Sequence, residues 1–251
     1  IGYAIDPKIL FPEDYLYLSG ITKALRDDFA DLVREVSQLF SLKGLVVDIG
    51  ANDGSLLIPF REAGYSVVGV EPTKALERAT ERGIPMIKDY FGSEAAQKIL
   101  SKYGLAQIVT ATNIFAHVLQ IHEFIEAMLE LLAPEGIFIS ESHYALDLVK
   151  TFQYDSVYHD HLKYYSVGSL TRLLEPHGLE IIRVGRIPTH GGSIRVYAAR
   201  KGSYPIDPSV SDHLAEEKTL GLEDGRLFDS FRSQVIASKL SLLTLIQGIK
   251  A

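Results

Sequence analysis

An α/β fold, built on a mostly parallel sheet closed by one antiparallel hairpin and extended by helical additions at both ends, is what this sequence predicts. Three observations carry the prediction. From about Gly44 to Gly202, short β-branched runs alternate with helical stretches, the order that lays helices on both faces of a parallel sheet. Gly64, Gly83 and Gly178 stand where those helices should stop. The last two extended runs, 180–186 and 193–199, are joined by residues 187–192 alone. That connection is too short for a right-handed crossover, so the pair must run antiparallel.

In chain order, residues 19–40 predict a helix whose apolar positions are Ala24, Phe29, Leu32, Val33, Val36 and Leu39. Strands are expected at 45–49, 66–71, 86–88, 107–112, 136–141, 180–186 and 193–199. The helices between them should begin near Gly54, Thr73, Ser93, Gln120 and Ser166. Residues 201–209, with two prolines and one glycine, read as a linker, and 211–251 read as helical without a stop signal. The chain thus divides into an N-terminal helical segment over the ligand site (1–43), the sheet domain (44–202) and a C-terminal helical segment (203–251).

Of the 251 residues, 47% are hydrophobic and 23% charged, ample for a full α/β core. The formal net charge is −7 and no Lys/Arg-rich run occurs, which argues against a broad nucleic-acid-binding face. The absence of cysteine excludes disulfides, Cys-ligated zinc and thiol nucleophiles, and fits a cytoplasmic setting. Residues 1–10 lack the order of a signal peptide and no apolar run reaches membrane-spanning length, so no membrane partner is expected.

The decapeptide Leu45-Val-Val-Asp-Ile-Gly-Ala-Asn-Asp-Gly54 runs a buried strand through a glycine-containing turn into a helix. Such a turn holds an anion or a nucleoside at a helix N-terminus. Gly50 and Gly54 permit close backbone approach, with Asn52 and Asp53 between them. Asp48 can accept hydrogen bonds from the ammonium of a bound methionine moiety, and Glu71 ends the second strand where a carboxylate can grip both ribose hydroxyls. A nicotinamide dinucleotide would need G-x-G-x-x-G; here Asn52 replaces the middle glycine, and a pyrophosphate would sit badly beside Asp48 and Asp53. A tight turn without a ligand accounts for any one of these residues alone. Together, in this strand order, they predict S-adenosylmethionine (SAM) as the cofactor.

The segment Tyr154-Asp-Ser-Val-Tyr-His-Asp-His-Leu-Lys-Tyr-Tyr-Ser166 concentrates tyrosines, histidines and aspartates after the fifth strand, on the carboxyl side of the sheet where ligands bind in open α/β folds. A histidine there can act as a general base, and a tyrosine can donate a hydrogen bond to a developing oxyanion. Tyr158 and His161 share a face if the stretch makes a helical turn; in an extended strand His159 and His161 would pair instead. An H-x-H zinc site is a lesser reading, and no metal is expected. Asn113-Ile-Phe-Ala-His117 follows the fourth strand, where cofactor methyl and substrate would meet. Thr189-His-Gly-Gly-Ser-Ile-Arg195 forms the tip of the closing hairpin. It reads either as a plain glycine-rich turn or as a place from which His190, Ser193 or Arg195 reaches a polar substrate.

With these motifs in place, the chain resembles the sugar C-methyltransferases that act on nucleotide-linked 4-keto deoxysugars. VVDIGANDGSLL (46–57), NIFAHV (113–118), YDSVYHDHLKYYS (154–166) and HGGSIRVY (190–197) occur in that family's order, and the likeness runs from Tyr15-Leu-Tyr-Leu-Ser19 nearly to Ala251. The resemblance implies a class I SAM-methyltransferase (Rossmann-like) fold. It also implies proton abstraction beside a ketone, followed by attack of the enolate carbon on the SAM methyl. It places the base at His161, with Tyr158 at the enolate oxygen, His117 in the active site, and Tyr15 and Tyr17 closing over the cofactor. Asp160 stands where the family has Glu, and His159, His190, Ser193 and Arg195 are the candidate substrate contacts. An N-terminal Cys-rich zinc module and a second α/β lobe belong to the family, and this chain is expected to lack both. Two other readings remain at this level: an O- or N-methyltransferase of a small metabolite, and a SAM-binding module without turnover.

Overall fold

The computed structural model describes residues 5–15 and 17–250. Leu16 and the final residue of the expected C-terminal helix, Ala251, lie outside that range. Seven strands form one sheet: β1 Leu45–Ile49, β2 Ser66–Val70, β3 Met86–Ile87, β4 Ala106–Thr112, β5 Leu132–His143, β6 Leu179–Ile187 and β7 Ser193–Arg200. Their order is β3-β2-β1-β4-β5-β7-β6. β7 runs antiparallel to both β5 and β6, and every other pairing is parallel. This is the closing hairpin expected of a class I methyltransferase sheet.

The helices are α1 Pro7–Leu10, α2 Lys23–Leu39, α3 Leu57–Glu62, α4 Ala75–Glu81, α5 Ser93–Tyr103, α6 Ile121–Leu131, α7 Ala145–Lys150, α8 Val167–Leu174, α9 Pro208–Thr219 and α10 Arg226–Lys250. Successive strand residues point to opposite faces, so Val46 and Val47 enter different cores. Val46, Ile108 and Ile139 pack beneath α2 and α3 through Phe29, Leu32, Val36, Leu57 and Phe60. Val47, Val109 and Phe138 pack beneath α5, α6 and α8 through Ile99, Ile125, Met128 and Leu170.

Four elements differ from expectation, each for a local reason. The first helix does not begin at Ser19: residues Ser19–Ile21 form a 3₁₀ turn whose Gly20 N–H is taken by Asp53, and regular helix starts only at Lys23. β5 begins at Leu132, which pairs with Ala106 ahead of a register shift. α7 was not anticipated, being too short to show a helical period. The C-terminal helical stretch is two helices, broken where Gly221 and Gly225 adopt φ of 75° and 85°. No helix among the described residues is long and apolar enough to cross a membrane.

Candidate active site

β1 delivers the chain into the turn from Gly50 to Gly54. Gly50 has φ 71°, and a Cβ there would lie 2.4 Å from the Ile114 side chain; one at Gly54 (φ 75°) would lie 2.8 Å from Ala79 Cβ. Side chains are therefore excluded twice over, by conformation and by space. Asn52 is also left-handed, at φ 50°. Its backbone N–H donates to Glu71 Oε2 at 3.0 Å. The other carboxylate oxygen accepts from the Thr73 N–H (2.9 Å) and hydroxyl (2.6 Å), which fixes Glu71 at the end of β2. Asp48 lies beneath the turn, 2% exposed, accepting from the Thr110 hydroxyl at 2.6 Å. Burial, helped by the nearby Glu71, pushes its carboxyl up to about 7, and a cation arriving at the turn would draw it back toward ionisation.

The turn opens on a cavity of about 1000 Å³. The N-terminal segment crosses it as a strap carrying Phe11, Tyr15 and Tyr17, and Phe11 stands edge-on to His117 at 5.2 Å. The strap is held by the turn itself. Asn52 Nδ2 donates to the Tyr17 carbonyl and Asn52 Oδ1 accepts from the Ser19 N–H, each at 3.0 Å. Asp53 accepts from the Gly20 N–H at 3.2 Å, and Tyr90 donates to the Phe11 carbonyl at 2.8 Å.

Four histidines in a chain line the same cavity. Ring centroids lie 4.8 Å apart for His117 and His161, 5.1 Å for His161 and His143, and 5.7 Å for His143 and His190. Each sits at or beyond the carboxyl end of a strand, His143 closing β5 and His190 in the β6–β7 connection. His117 Nδ1 donates to the Asp160 carbonyl at 2.6 Å. The Tyr158 ring lies tilted against His161, centroids 4.5 Å apart, with its hydroxyl 3.3 Å from His161 Nε2. Desolvation, followed by the neighbouring His117 and His143, pushes His161 down to about 4. Burial lowers His117, His143 and His190 as well, so at neutral pH the cluster is uncharged. No group of three or more His, Asp or Glu among the described residues has metal-ligand geometry.

Of the residues singled out from sequence, Tyr17, Gly50, Asn52, Glu71, Asn113, His117, Tyr158, Asp160, His161 and His190 line this one cavity. Asp48, Asp53 and Gly54 shape the turn from behind without lining it. The three remaining expected substrate contacts do not reach the cavity. His159 points to solvent, and Ser193 is fully buried with its hydroxyl on the Thr189 carbonyl. Arg195 is 3% exposed and held by Asp28 (2.9 Å), Glu35 (3.0 Å) and Glu141, so its charge is spent inside the protein. Sequence reading missed His143, although its place at the carboxyl end of a central strand is the position where ligands are met in this kind of fold.

Two family models match: the methyltransferase domain over residues 21–184 and the C-methyltransferase C-terminal domain over residues 188–251. The chain is 35% identical over 255 aligned positions to the C-methyltransferase NovU of Streptomyces niveus, covering 100% of this chain and 60% of that protein. The chain therefore spans about 60% of the length of the curated relative it matches. Among solved structures, magnesium protoporphyrin IX methyltransferase of Synechocystis PCC 6803 with bound SAH matches with TM-score 0.55 at 18% identity, over 70% of this chain and 83% of that one. The CcbJ methyltransferase of Streptomyces caelestis matches with TM-score 0.54 at 16% identity, over 69% and 89%. At such identities the two structures speak for the fold, and the sequence matches speak for the family: this chain belongs to the methyltransferase-domain family, with a C-methyltransferase C-terminal domain behind it.

Proposed function

We propose that this chain binds SAM and methylates a carbon of a nucleotide-linked 4-keto-deoxysugar, with His161 as the base. The observation that carries the reading is the pairing of an uncharged His161, 3.3 Å from the Tyr158 hydroxyl, with a glycine turn and a fixed Glu71 in one cavity. The turn fits SAM on its own terms. The bare, left-handed backbone at Gly50 on the cavity wall, the pinned Glu71 and the buried Asp48 whose ionisation a cation would restore answer to a nucleoside carrying an ammonium group. Gly50, Asn52, Glu71, Asn113 and Tyr17 would hold it, and when bound it supplies an electrophilic methyl group. The C-methyltransferase relative supports a carbon acceptor.

His161 accepts the proton from the carbon beside the ketone, which turns that carbon into the nucleophile. Tyr158 donates to the oxygen on which negative charge gathers, and burial, which raises its hydroxyl pKa, keeps it protonated for that task. His117, fixed through Asp160, and the strap residues Phe11 and Tyr15 exclude water from the reacting carbon. General-base help is worth about 10²–10⁴ in rate. Holding the two reactants in line supplies more, about 7–11 kcal/mol. A cytoplasmic enzyme acting on a small molecule goes with this reading. His161→Asn should slow methyl transfer by about 10²–10⁴ while SAM affinity, measured by calorimetry, stays within about twofold of the parent. Turnover close to the parent's would remove His161 as the base.

A further inference from the structure

Glu217, on α9, is fully buried and takes no part in the cavity wall. Three donors hold its carboxylate. Oε1 accepts from the Tyr144 hydroxyl at 2.9 Å and the Val167 N–H at 2.6 Å, and Oε2 accepts from the Gly168 N–H at 2.9 Å. The first N–H groups of a helix have no acceptor within it. At the start of α8 the Ser166 hydroxyl covers the N–H of Ser169, and Glu217 covers the two before it. The helix dipole favours a negative charge at that place. A Cβ at Gly168 would lie 3.2 Å from Glu217 Oε2, so the close approach relies on glycine.

The third donor, Tyr144, is the point where the histidine-bearing segments meet. It directly follows His143 and is itself fully buried. Its N–H donates to the Gly192 carbonyl at 3.2 Å, two residues past His190. It forms a parallel bridge with Tyr165, four residues past His161, and the Ala145 N–H donates to the Tyr165 carbonyl at 2.8 Å. Tyr165 in turn donates its hydroxyl to the Phe115 carbonyl at 3.2 Å, two residues before His117. Glu216, next to Glu217 on α9, holds Arg186 at 3.0 Å, and that guanidinium lies 5.0 Å over the Tyr144 ring.

We infer that Glu217 is a positioning residue for the histidine cluster: by binding the Tyr144 hydroxyl and the start of α8 together, it fixes His143, His161 and His190 relative to one another from behind the cavity. The inference rests on the proposed role of His161 and deepens it, since it makes the C-terminal segment a working part of the site. A base acts only when its nitrogen stands in line with the carbon-bound proton, and a displacement of about 1 Å from a remote change can cost 10²-fold in rate. The glycine turn is fastened separately, by Glu71 and the strap, and none of its bonds passes through Tyr144 or Glu217.

Tyr144→Phe removes one hydroxyl and leaves Glu217 on both N–H groups of α8, so the helix stays capped. With SAM and a nucleotide-linked 4-keto-6-deoxysugar as probe, it should lower kcat by roughly 10–100-fold while SAM affinity by calorimetry is unchanged. Glu217→Gln, whose Oε1 can still accept from Tyr144, should keep more of the rate than Glu217→Leu, which can accept from neither partner. Wild-type kcat in Tyr144→Phe would overturn the inference. Nitrogen-15 spectra of the histidine rings, taken well below the melting temperature, give a second readout that does not depend on turnover. The rings of His143, His161 and His190 should shift in Tyr144→Phe, while the exposed His122–His177 pair, joined at 2.8 Å, keeps its signals. Unmoved signals from His143 and His161 would also overturn it. If wild type leaves the probe sugar untouched, the reading of the substrate fails, while the ring spectra still decide the role of Glu217.

Discussion

Arg195 with its carboxylates and His161 with its neighbouring histidines share one end of the sheet. Glu141 and His143 are even two residues apart on β5, on the same face of the strand, facing Arg195 and Ser193 across the ladder. Burial has opposite consequences in the two places. Around Arg195 one buried cation is paired three times: the guanidinium reaches Asp28 and Glu35 on α2 and Glu141 on β5, tying the helix to the sheet, although Asp28 Oδ2 and Glu141 Oε2 are buried without a hydrogen bond among the described residues. Around His161 burial has stripped charge away, left nitrogens without partners and opened a cavity beside them. A buried cation enclosed by carboxylates and facing no space holds a structure together; uncharged nitrogens that border a cavity are free to react.

That difference can be broken by substitution. The largest effect expected at the open cluster is on rate alone. His161→Asn should cost about 10²–10⁴ in methyl transfer with the urea midpoint close to wild type, and a variant equally slow but poorly folded would erase the distinction. At the closed cluster the effect falls on stability. Arg195→Met strands buried carboxylates and should cost about 3–5 kcal/mol in urea denaturation. A near-neutral Arg195→Met would show that the ion pairs are dispensable.

A smaller effect is expected where the turn meets the strap. Asn52→Ala removes the hydrogen bonds to Tyr17 and Ser19 and should weaken SAM binding roughly tenfold by calorimetry, with the sheet intact. Unchanged affinity would mean the strap is held without Asn52.

The subtlest expectation is in the pH dependence of stability, where the clusters pull in opposite directions. The histidines titrate lower when folded than their ordinary 6.5, so acidification protonates the unfolded chain first. Their contribution, intact above about 6.5, is lost as pH falls toward about 4. Glu141 is the reverse case. Burial and the neighbouring Asp28 push it from an ordinary 4.5 up to about 8, against the pull of Arg195. Its contribution, present below 4.5, is lost as pH rises through about 8. Glu141→Gln should therefore gain on wild type steadily as pH is raised across that window, and a constant offset between the two profiles would contradict the assignment.

Most of the fold was legible because strand and helix periods differ and the connection at 187–192 left one pairing possible. Residues that break period locally were not: α7 is a single short helix, and the break at Gly221–Gly225 rests on two left-handed glycines in an otherwise helical run. The turn could be read from spacing, since it is local in sequence; spacing alone left Tyr158–His161 and His159–His161 both open, and the family resemblance chose the first. Arg195 could not, because its partners Asp28, Glu35 and Glu141 lie far away in the chain and a charged residue beside a glycine-rich hairpin reads as exposed. His143 was hidden for the same reason. Its partner is a backbone carbonyl at His190, and a carbonyl leaves no mark in a sequence.

Carbon methylation by a histidine base is tested most directly by mixing carbon-13 methyl-labelled SAM and a nucleotide-linked 4-keto-6-deoxysugar with the protein in heavy water and following the reaction by NMR. A labelled methyl on a ring carbon, with enzyme-dependent deuterium entering beside the ketone and both lost in His161→Asn, is the result expected. A labelled methyl on oxygen or nitrogen, or no transfer and no exchange while SAM binding is confirmed in the same tube, would contradict carbon methylation by a histidine base.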